Sequence, residues 1–452
     1  MTPFQLNDEL LDRIGLLIDG QKNKKLKSLL AELHYADMAE IIDELSLERG
    51  VYLIKLVDSE KTSDVLTELD EDVREKILKE LSAKEIAGEL EELDTDDAAD
   101  IIGELPEERQ ERVIAQISDE SHAEDIRELL LYDENSAGGL MAKELVKVNE
   151  NWTVLKCVRE MRLQAEEVTR VHSIYVVDEK DKLVGRLSLK DLLNHPTKEP
   201  IKNVYIPKVD SVNVDENGEE VAKIMSKYDL EAIPVVDNNG VLMGRITIDD
   251  IVDLIKDEAD KDYQMAAGIS QDVEADDSIY DLTRARLPWL TLGLIGGLGS
   301  VFILEGFENI MTHPEFRSLF FFTPLIAAMA GNVGVQSSAI VVQGLANGVI
   351  KGSLFNLLVK EIGLSLINGL ALSMLILVFG YFVNQPLNVS ITIALSMQCV
   401  IVVAALVGTF VPIVLNKRGI DPAIATGPFI TTSNDIFGIF LFFYIAKLIL
   451  GF

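Results

Sequence analysis

The segment ATGPFITTSNDIFGIFLFFYIAKLIL, residues 425–450, has the length and apolarity of a membrane-spanning helix, but a polar run lies inside it. Asp435 follows Gly427 by eight residues, which places its Cα about 12 Å into such a helix at 1.5 Å per residue. A charge costs about 2.5–3.5 kcal/mol at mid-span, so this carboxylate must face protein, water or an ion. Thr431 and Asn434 add the oxygens that hard cations prefer. The segment predicts an ion pathway, with a protonated, hydrogen-bonded Asp435 as the alternative.

Four more apolar stretches precede this one, and each nears or exceeds the about 20 residues that a span needs. The predicted spans are 287–304, 318–345, 362–383, 391–415 and 425–450. Their connections alternate in charge, and basic connections stay in the cytosol. The basic side has Arg284, Arg286, Lys351, Lys360, Lys417 and Arg418, and the other side has Glu305, Glu308 and Glu315 against Arg317. We therefore expect a multi-pass protein of the inner membrane with cytosolic N-terminal domains and its C-terminus outside.

A second polar run, AGNVGVQSS at 330–338, interrupts the second span. Gly331 and Gly334 allow another helix to approach closely, and Asn332 can hydrogen-bond between helices. Asn332 is a candidate pore residue, although helix packing alone explains the run equally well.

Charge divides the chain at Arg286. The whole protein has a formal net charge of −33, and residues 1–286 contain 35 of its 41 basic and 68 of its 74 acidic residues. Such an acidic surface excludes nucleic acid as a partner, because phosphates need a basic surface. The surplus either keeps the protein soluble or binds cations. Two cysteines and five histidines provide no disulfide framework and no thiolate metal site.

An internal duplication is visible at an offset of 59 residues. IYVVDEKDKLVGRLSLKDLL from Ile174 matches IPVVDNNGVLMGRITIDDIV from Ile233 at eight of twenty positions, and each copy has the pattern strand, turn, strand, helix. This pair resembles tandem CBS domains, which often bind a nucleotide ribose through a Ser/Thr-x-x-Asp motif. Ser188 and Asp191 match that motif, with Lys190 beside them, and Thr247 and Asp250 match it in the second copy. The same residues would also form an ordinary helix N-cap.

The regions flanking the duplication are helical and acidic. Residues 24–131 contain helix-length segments with apolar residues three and four apart, which indicates stacked helical repeats without an assignable period. After Thr247, an amphipathic helix should continue to Gly268. It carries an acidic stripe at Asp250, Asp253, Asp257 and Asp260. Like charges at these spacings repel one another, so cations could bridge the stripe to the adjoining acidic regions.

The order of these parts resembles the MgtE family of Mg²⁺ channels over nearly the whole chain. GPFITTSNDIFG at 427–438, AGNVGVQSS at 330–338, YDLEAIPVVDNNG at 228–240 and MGRITIDDI at 243–251 carry the resemblance. It implies a multidomain protein with α, α/β and all-α membrane parts. The expected parts are a superhelical N domain (1–131), a tandem CBS pair (138–200 and 201–248), a connecting or plug helix (249–270) and a five-span transmembrane pore domain (287–452).

The resemblance also implies function. It suggests a homodimer in the lipid bilayer, with Asp435 and Thr431 lining a pore on the two-fold axis. Mg²⁺ would be both substrate and regulator, and ATP a further regulator at the CBS pair. Sensor positions that match the family are Asp64, Asp96, Asp100, Asp229, Asp250, Asp253, Glu258 and Asp262. Asp257 is added from the acidic stripe, and Lys261 departs from the family, in which an acid is common at that position.

Two other functions stay open at this stage. A secondary transporter would exchange Mg²⁺ for Na⁺ or H⁺ through the same membrane helices. A membrane-tethered nucleotide sensor or enzyme is the other, but the sequence contains no P-loop, no nucleophile–base pair and no histidine cluster. We therefore expect a protein that is not an enzyme.

Overall fold

The computed structural model describes residues 4, 6–165, 168, 170–270, 273, 275, 277–313, 316–350, 353–425 and 427–451. It divides into two compact units, Met1–Ile255 and Lys256–Phe452. Glu315 and Lys351, two of the charges used to predict orientation, lie outside the described residues.

The first unit begins with ten short helices. They are α1 Asp8–Asp19, α2 Asn23–Leu30, α3 Tyr35–Asp43, α4 Leu47–Leu56, α5 Ser59–Glu68, α6 Glu71–Glu80, α7 Ala83–Leu90, α8 Thr95–Gly103, α9 Glu107–Ile114 and α10 Glu120–Leu129. From α2 to α9, each helix starts 12 residues after the one before. Alternate helices pack on one another, α3 on α5, α5 on α7 and α7 on α9. The helical N-terminal region is confirmed, and it has the regular period that the sequence reading did not find.

Some of the 12-residue units have well-defined ends. At the start of α7, Ser82 Oγ accepts a hydrogen bond from Glu85 N at 3.3 Å and Glu85 accepts one from Ser82 N at 2.7 Å. A leucine closes the unit at Leu69, Leu81 and Leu93, and all three are buried in the shared core. A helix of two to three turns cannot bury its apolar face alone, so its stability comes from the neighbouring repeats.

Two small sheets follow. The first copy contains β1 Val146–Asn149, α11 Val154–Gln164, β2 Ile174–Val177, β3 Leu183–Leu187, α12 Leu189–Asn194 and β4 Ile206–Pro207, and its sheet order is β1-β2-β3-β4. The second contains β5 Val212–Asn213, α13 Gly218–Tyr228, β6 Ala232–Val236, β7 Leu242–Thr247 and α14 Ile248–Ala267, and its sheet order is β5-β6-β7. The tandem CBS pair is thereby confirmed.

The two copies share one register. Ile174 pairs with Leu187 in the first sheet, and Ile233 pairs with Ile246 in the second, each shifted by 59 residues. Edges of the two copies meet where Leu183 N donates to Gly240 O at 3.0 Å. The core of the second copy is continuous with the core of the N-terminal helices.

The second unit is built around five long helices: α15 Ile279–Gly306, α16 Thr323–Ala346, α17 Leu354–Phe382, α18 Leu387–Asn416 and α19 Gly427–Leu450. All five are long and apolar enough to cross a membrane, as predicted. Helix α18 contacts α16, α17 and α19, whereas α15 packs mainly on α19.

Helices α15, α17 and α18 start before the predicted spans, whereas α16 and α19 start a few residues after them. Helix α17 starts at Leu354 rather than residue 362, so Lys360 and Glu361 lie inside it and not in a connection. Helix α15 starts at Ile279 and includes Arg284 and Arg286. Polar and charged residues at the ends of membrane helices keep their backbone hydrogen bonds, so hydropathy alone underestimates helix length.

Candidate functional site

The candidate pore residues occupy the first turns of α19, where the chain packs on the glycines of α16. Thr431 Oγ1 donates to Gly427 O at 2.8 Å. A Cβ added to Gly331 would lie 3.1 Å from Thr431 Cγ2 and 3.4 Å from Asp435 Oδ1. Thr431 and Asp435 therefore share the face of α19 that meets Gly331, and a larger residue at 331 would push against both.

The other two candidate pore residues take different positions. Asn434 is 2% exposed and lies against Gly334, where a Cβ would overlap its amide. Its Nδ2 has no hydrogen-bond partner within the described part of the chain. Asn332 is exposed on α16 in the single chain. The structure thus brings Thr431 and Asp435 together, buries Asn434 in the helix interface and leaves Asn332 apart.

The sequence reading missed a second carboxylate in the membrane helices. Ser337 Oγ of α16 donates to Glu361 Oε1 of α17 at 2.6 Å, and Gln398 Nε2 of α18 donates to Ser365 O at 3.3 Å. Glu361 immediately precedes the predicted span 362–383, so the sequence reading did not place it among the membrane helices. The nearby Ser337 and Ser338 in the polar run were the signal that could have identified its partner.

The end of α14 packs against the start of α19. Gly268 ends α14 with φ +81°, a left-handed conformation that favours glycine. A Cβ at Gly427 would overlap Ala266 O, and one at Gly268 would overlap Pro428 and lie 3.6 Å from Trp289 Cβ. The last turn of the connecting helix therefore touches the first turn of the helix that carries Thr431 and Asp435.

In the first unit, acidic residues of α8 lie close to the start of α14. Burial raises the pKa of Asp96 well above its ordinary value, and the carboxylate of Asp250 raises it further. Burial also raises the pKa of Asp97 to about 7, again with Asp250 as the next cause. The pKa of Asp100 is raised to about 7 by burial and then by Glu134. These shifts mean that the folded protein holds several carboxylates where their charges are costly.

Asp250 is positioned by its own helix start. Its Oδ2 accepts hydrogen bonds from Thr247 N at 2.9 Å and Thr247 Oγ1 at 2.7 Å. Burial raises the pKa of Asp250, and these hydrogen bonds partly offset the shift. Asp97 and Asp100 keep one side exposed to solvent, so water and salt screen part of the repulsion in this cluster.

The remaining predicted sensor residues are distributed differently. Burial raises the pKa of Asp64, and the charge of Asp94 adds to this, so Asp64 lies within electrostatic reach of α8. Asp229 caps α13 with φ 52°. Asp253 and Asp262 each form a hydrogen bond, an ion pair or an electrostatic contact with another residue.

Glu258 pairs with Lys261 at 3.2 Å, and with Asp257 and Asp262 it belongs to the second unit. Within the described residues, no group of three His, Cys, Asp or Glu side chains is arranged to hold a metal ion. The candidate sensor in this structure is therefore a concentration of negative charge and not a preformed chelate. Asp97, which was not among the predicted sensor residues, belongs to it.

The candidate nucleotide motif forms a helix cap. Asp191 Oδ2 accepts hydrogen bonds from Ser188 N at 3.0 Å and from Ser188 Oγ at 2.7 Å, and Lys190 is exposed. Thr247 and Asp250 form the same cap in the second copy. The capping alternative is thus present in both copies, and nucleotide binding at Ser188, Lys190 and Asp191 stays a prediction.

Comparison with known proteins covers most of the chain. Family models described as "MgtE intracellular N domain", "CBS domain" and "Divalent cation transporter" match residues 33–135, 137–198 with 201–257, and 323–445. The magnesium transporter MgtE of Bacillus subtilis is 35% identical over 70% of this chain and 70% of its own length. The one from Thermus thermophilus is 34% identical over 71% of this chain and 72% of its own length.

Two solved structures resemble the N-terminal half. The cytosolic domain of the Mg²⁺ channel MgtE in complex with ATP is 33% identical, with a TM-score of 0.51, and the match covers 54% of this chain and 99% of that domain. The soluble part of a magnesium transporter is 28% identical, with a TM-score of 0.50, and that match covers 56% of this chain and 99% of the other.

Proposed function

Because the chain belongs to the MgtE family of magnesium transporters, we propose that it is a Mg²⁺-selective channel that cytosolic Mg²⁺ closes. It is a multi-pass membrane protein with cytosolic N-terminal domains, and it is a transporter and not an enzyme. We further propose that it lies in the inner membrane with its C-terminus outside and works as a homodimer. The charges of the connections support the orientation.

Permeation is proposed to run past Asp435 and Thr431. Mg²⁺ sheds its water reluctantly, so a carboxylate and a hydroxyl on one helix face suit a hydrated ion that passes and does not stay. The position of both side chains against Gly331 supports this, since the absence of a Cβ there leaves room at the carboxylate.

Gating is proposed to follow from charge. With little cytosolic Mg²⁺, the carboxylates of α8 and Asp250 repel each other, the cytosolic domains separate, and the connecting helix releases the pore. With abundant Mg²⁺, ions bridge the carboxylates and the pore closes. One observation carries the proposal: α14 begins among the acidic side chains of α8, and its last turn touches the start of α19.

ATP is proposed as a second regulator. The solved MgtE cytosolic domain that contains ATP is similar to the same half of this chain. Asp191 would hold the ribose, and Lys190, which is exposed, would meet the phosphates. Binding there must replace the hydrogen bonds that Asp191 makes to Ser188, so the affinity should be modest.

The deciding experiment uses the full chain in giant liposomes, with Mg²⁺ raised on the cytosolic side of an excised patch. We expect the native protein to close, and Asp250→Asn combined with Asp253→Asn to stay open. The matched control is Glu219→Gln with Glu220→Gln, two exposed acids of α13 that face Lys223. Complete closure of the Asp250 and Asp253 variant by Mg²⁺ would contradict the gating mechanism.

A secondary transporter is the second candidate, and Glu361 favours it. A carboxylate that Ser337 holds between two membrane helices can take up and release a proton during transport. Current amplitude separates the two: a channel passes resolvable unitary currents, whereas a coupled transporter does not. Uptake by a transporter would also follow an imposed H⁺ or Na⁺ gradient.

A further inference from the structure

Arg245 is a buried cation at the boundary between the second CBS copy and the N-terminal helices. It lies on β7 and is 5% exposed. Its Nη1 donates to Arg170 O at 3.0 Å, and its Nη2 donates to Asp94 Oδ2, the N-cap residue of α8, at 3.4 Å. Its Nε has no hydrogen-bond partner among the residues that the structure describes. The guanidinium therefore holds its position mainly through Asp94 and one backbone carbonyl.

The backbone keeps Arg245 in this place. Ala142 N donates to Arg245 O at 2.8 Å, and Arg245 N donates to Ala142 O at 2.9 Å. A Cβ at the preceding Gly244 would overlap Ala142 O at 2.6 Å, so the two backbone segments are as close as glycine permits. These contacts fix the backbone position from which the Arg245 side chain reaches Asp94.

The first CBS copy contains the equivalent arginine in a different environment. Arg186 is its equivalent at the 59-residue offset, in the same register position opposite Tyr175, as Arg245 is opposite Pro234. Arg186 is exposed. Of these two equivalent arginines, Arg245 is buried and Arg186 is exposed, and the start of α8 packs against Arg245.

Arg245 lies within electrostatic reach of His172 as well as of the acidic residues Asp94 and Asp250. Asp96 and Asp97 of α8 repel Asp250, and Asp94 and Asp249 add to that repulsion. Burial raises the pKa of Asp250, and the charge of Arg245 offsets a small part of that rise. Burial likewise raises the pKa of Asp100, and Arg74 offsets part of the rise, but Arg74 forms its own ion pair with Glu104.

We propose that Arg245 is a tethered counter-charge that holds the start of α8 against the second CBS copy and sets the Mg²⁺ concentration at which the channel closes. The proposal rests on Mg²⁺ gating as the proposed function. A fixed positive charge neutralises part of the acidic cluster in the absence of metal, so fewer Mg²⁺ ions complete the closed arrangement. Without Arg245, Mg²⁺ must supply that charge as well.

The experiment measures the half-closing Mg²⁺ concentration of the full chain in excised patches. Arg245→Gln should raise it by about tenfold, equivalent to ~1.4 kcal/mol, because Mg²⁺ must then supply the charge that Arg245 provides. Arg186→Gln is the matched control and should leave it unchanged. Arg245→Lys keeps the positive charge but lacks the planar guanidinium, so its half-closing concentration should lie between those of Arg245→Gln and the native protein. Thermal unfolding of each variant in detergent checks that it is folded.

A double variant tests the partner. If Arg245 acts through Asp94, adding Asp94→Asn to Arg245→Gln should change the half-closing concentration less than Asp94→Asn does alone. A folded Arg245→Gln channel with the native half-closing concentration would overturn the proposal but leave Mg²⁺ gating intact. Native channels that do not close in Mg²⁺ at all would instead overturn the proposed function. If Arg245→Gln does not fold, Arg245→Lys is measured instead, and a native half-closing concentration in that variant would show that the guanidinium geometry does not matter. The shift caused by Asp94→Asn then decides whether the ion pair between Arg245 and Asp94 affects closure.

Discussion

In the second unit, Asp435 stands on α19 with hydroxyl and amide neighbours, whereas in the first unit Asp96, Asp97 and Asp100 lie within reach of Asp250 and of one another. In the proposed function, the first arrangement presents one charge to a passing ion. In the second arrangement, neighbouring carboxylates repel one another, and a bound cation would reduce that repulsion. A carboxylate that must release its ion quickly works best alone, and one that must report ion concentration works best in a group, because the group responds steeply.

The largest expected effect is at the single carboxylate. Asp435→Asn keeps the size of the side chain but removes the charge that attracts the cation. We expect Mg²⁺ uptake into liposomes to fall by about a hundredfold, equivalent to ~2.8 kcal/mol. The control is Glu305→Gln, which changes an exposed acid at the C-terminal end of α15 and should leave Mg²⁺ uptake normal. Near-native uptake by Asp435→Asn would mean that the ion takes another path.

The next largest effect should come from removing two carboxylates from the acidic cluster. Asp96→Asn with Asp100→Asn removes two groups that Mg²⁺ would bridge. The half-closing Mg²⁺ concentration in patches should therefore rise by about tenfold, or ~1.4 kcal/mol, while uptake at low Mg²⁺ stays native. Glu107→Gln with Glu108→Gln, exposed acids on α9, should not change the concentration. An unchanged value for the α8 variant would show that these acids only solvate the surface.

Protons should substitute in part for Mg²⁺. Burial and then Asp250 raise the pKa of Asp97 to about 7, so Asp97 should bind a proton more readily when α8 and Asp250 are together than when they are apart. Asp100, whose pKa burial and then Glu134 raise to about 7, should contribute less to this difference. The closed arrangement should therefore gain stability as pH falls through about 7 and gain no more below the ordinary carboxyl pKa of about 4. Without divalent ions, proteolysis between the cytosolic domains should be slower at pH 6 than at pH 8. Asp97→Asn with Asp100→Asn should flatten this dependence, and an unaltered pH profile would rule these two groups out.

The smallest effect concerns stability alone. Glu89 is buried, accepts a hydrogen bond from Thr62 Oγ1 at 2.6 Å, and burial raises its pKa to about 7. Its charged form destabilises the fold above pH 7, so Glu89→Gln should stabilise the protein at pH 8 by about 1–3 kcal/mol, and less as pH falls toward 5. Thermal unfolding in detergent measures this.

Glu85 on the same helix is the opposite case and serves as the control. Hydrogen bonds from Ser82 lower its pKa to about 2, so its charged form stabilises the fold and Glu85→Gln should destabilise the protein at pH 8. If both substitutions shift the unfolding temperature in the same direction, local charge does not explain either effect.

Much of the fold was predictable from periodicity. The duplication at 59 residues reappears as an identical strand register, and the connecting helix continues to Gly268 as predicted. The 12-residue spacing of the N-terminal helices was equally visible, because a leucine closes successive units at Leu69, Leu81, Leu93 and Leu105. It was missed because the variable residues within each unit hide the regular ends.

The site was less predictable. The family resemblance pointed to Asp96 and Asp250 but not to Asp97, and only the packing of α8 beside the start of α14 gives Asp96 and Asp97 a common neighbour in Asp250. Glu361 lies just before the apolar run that predicts the third span, and only the start of α17 at Leu354 places it opposite Ser337.

By itself, the sequence determined the five membrane helices, the tandem repeat and the acidic cytosolic half, because hydropathy, periodicity and charge are sums over local residues. Only the tertiary structure decided that Arg245 is buried against Asp94 while Arg186 is exposed, although both stand at the same place in the repeat. The physical reason is that burial and electrostatic shifts depend on what packs across from a residue. For these two arginines, the neighbour that differs is Asp94, more than a hundred residues away in the chain.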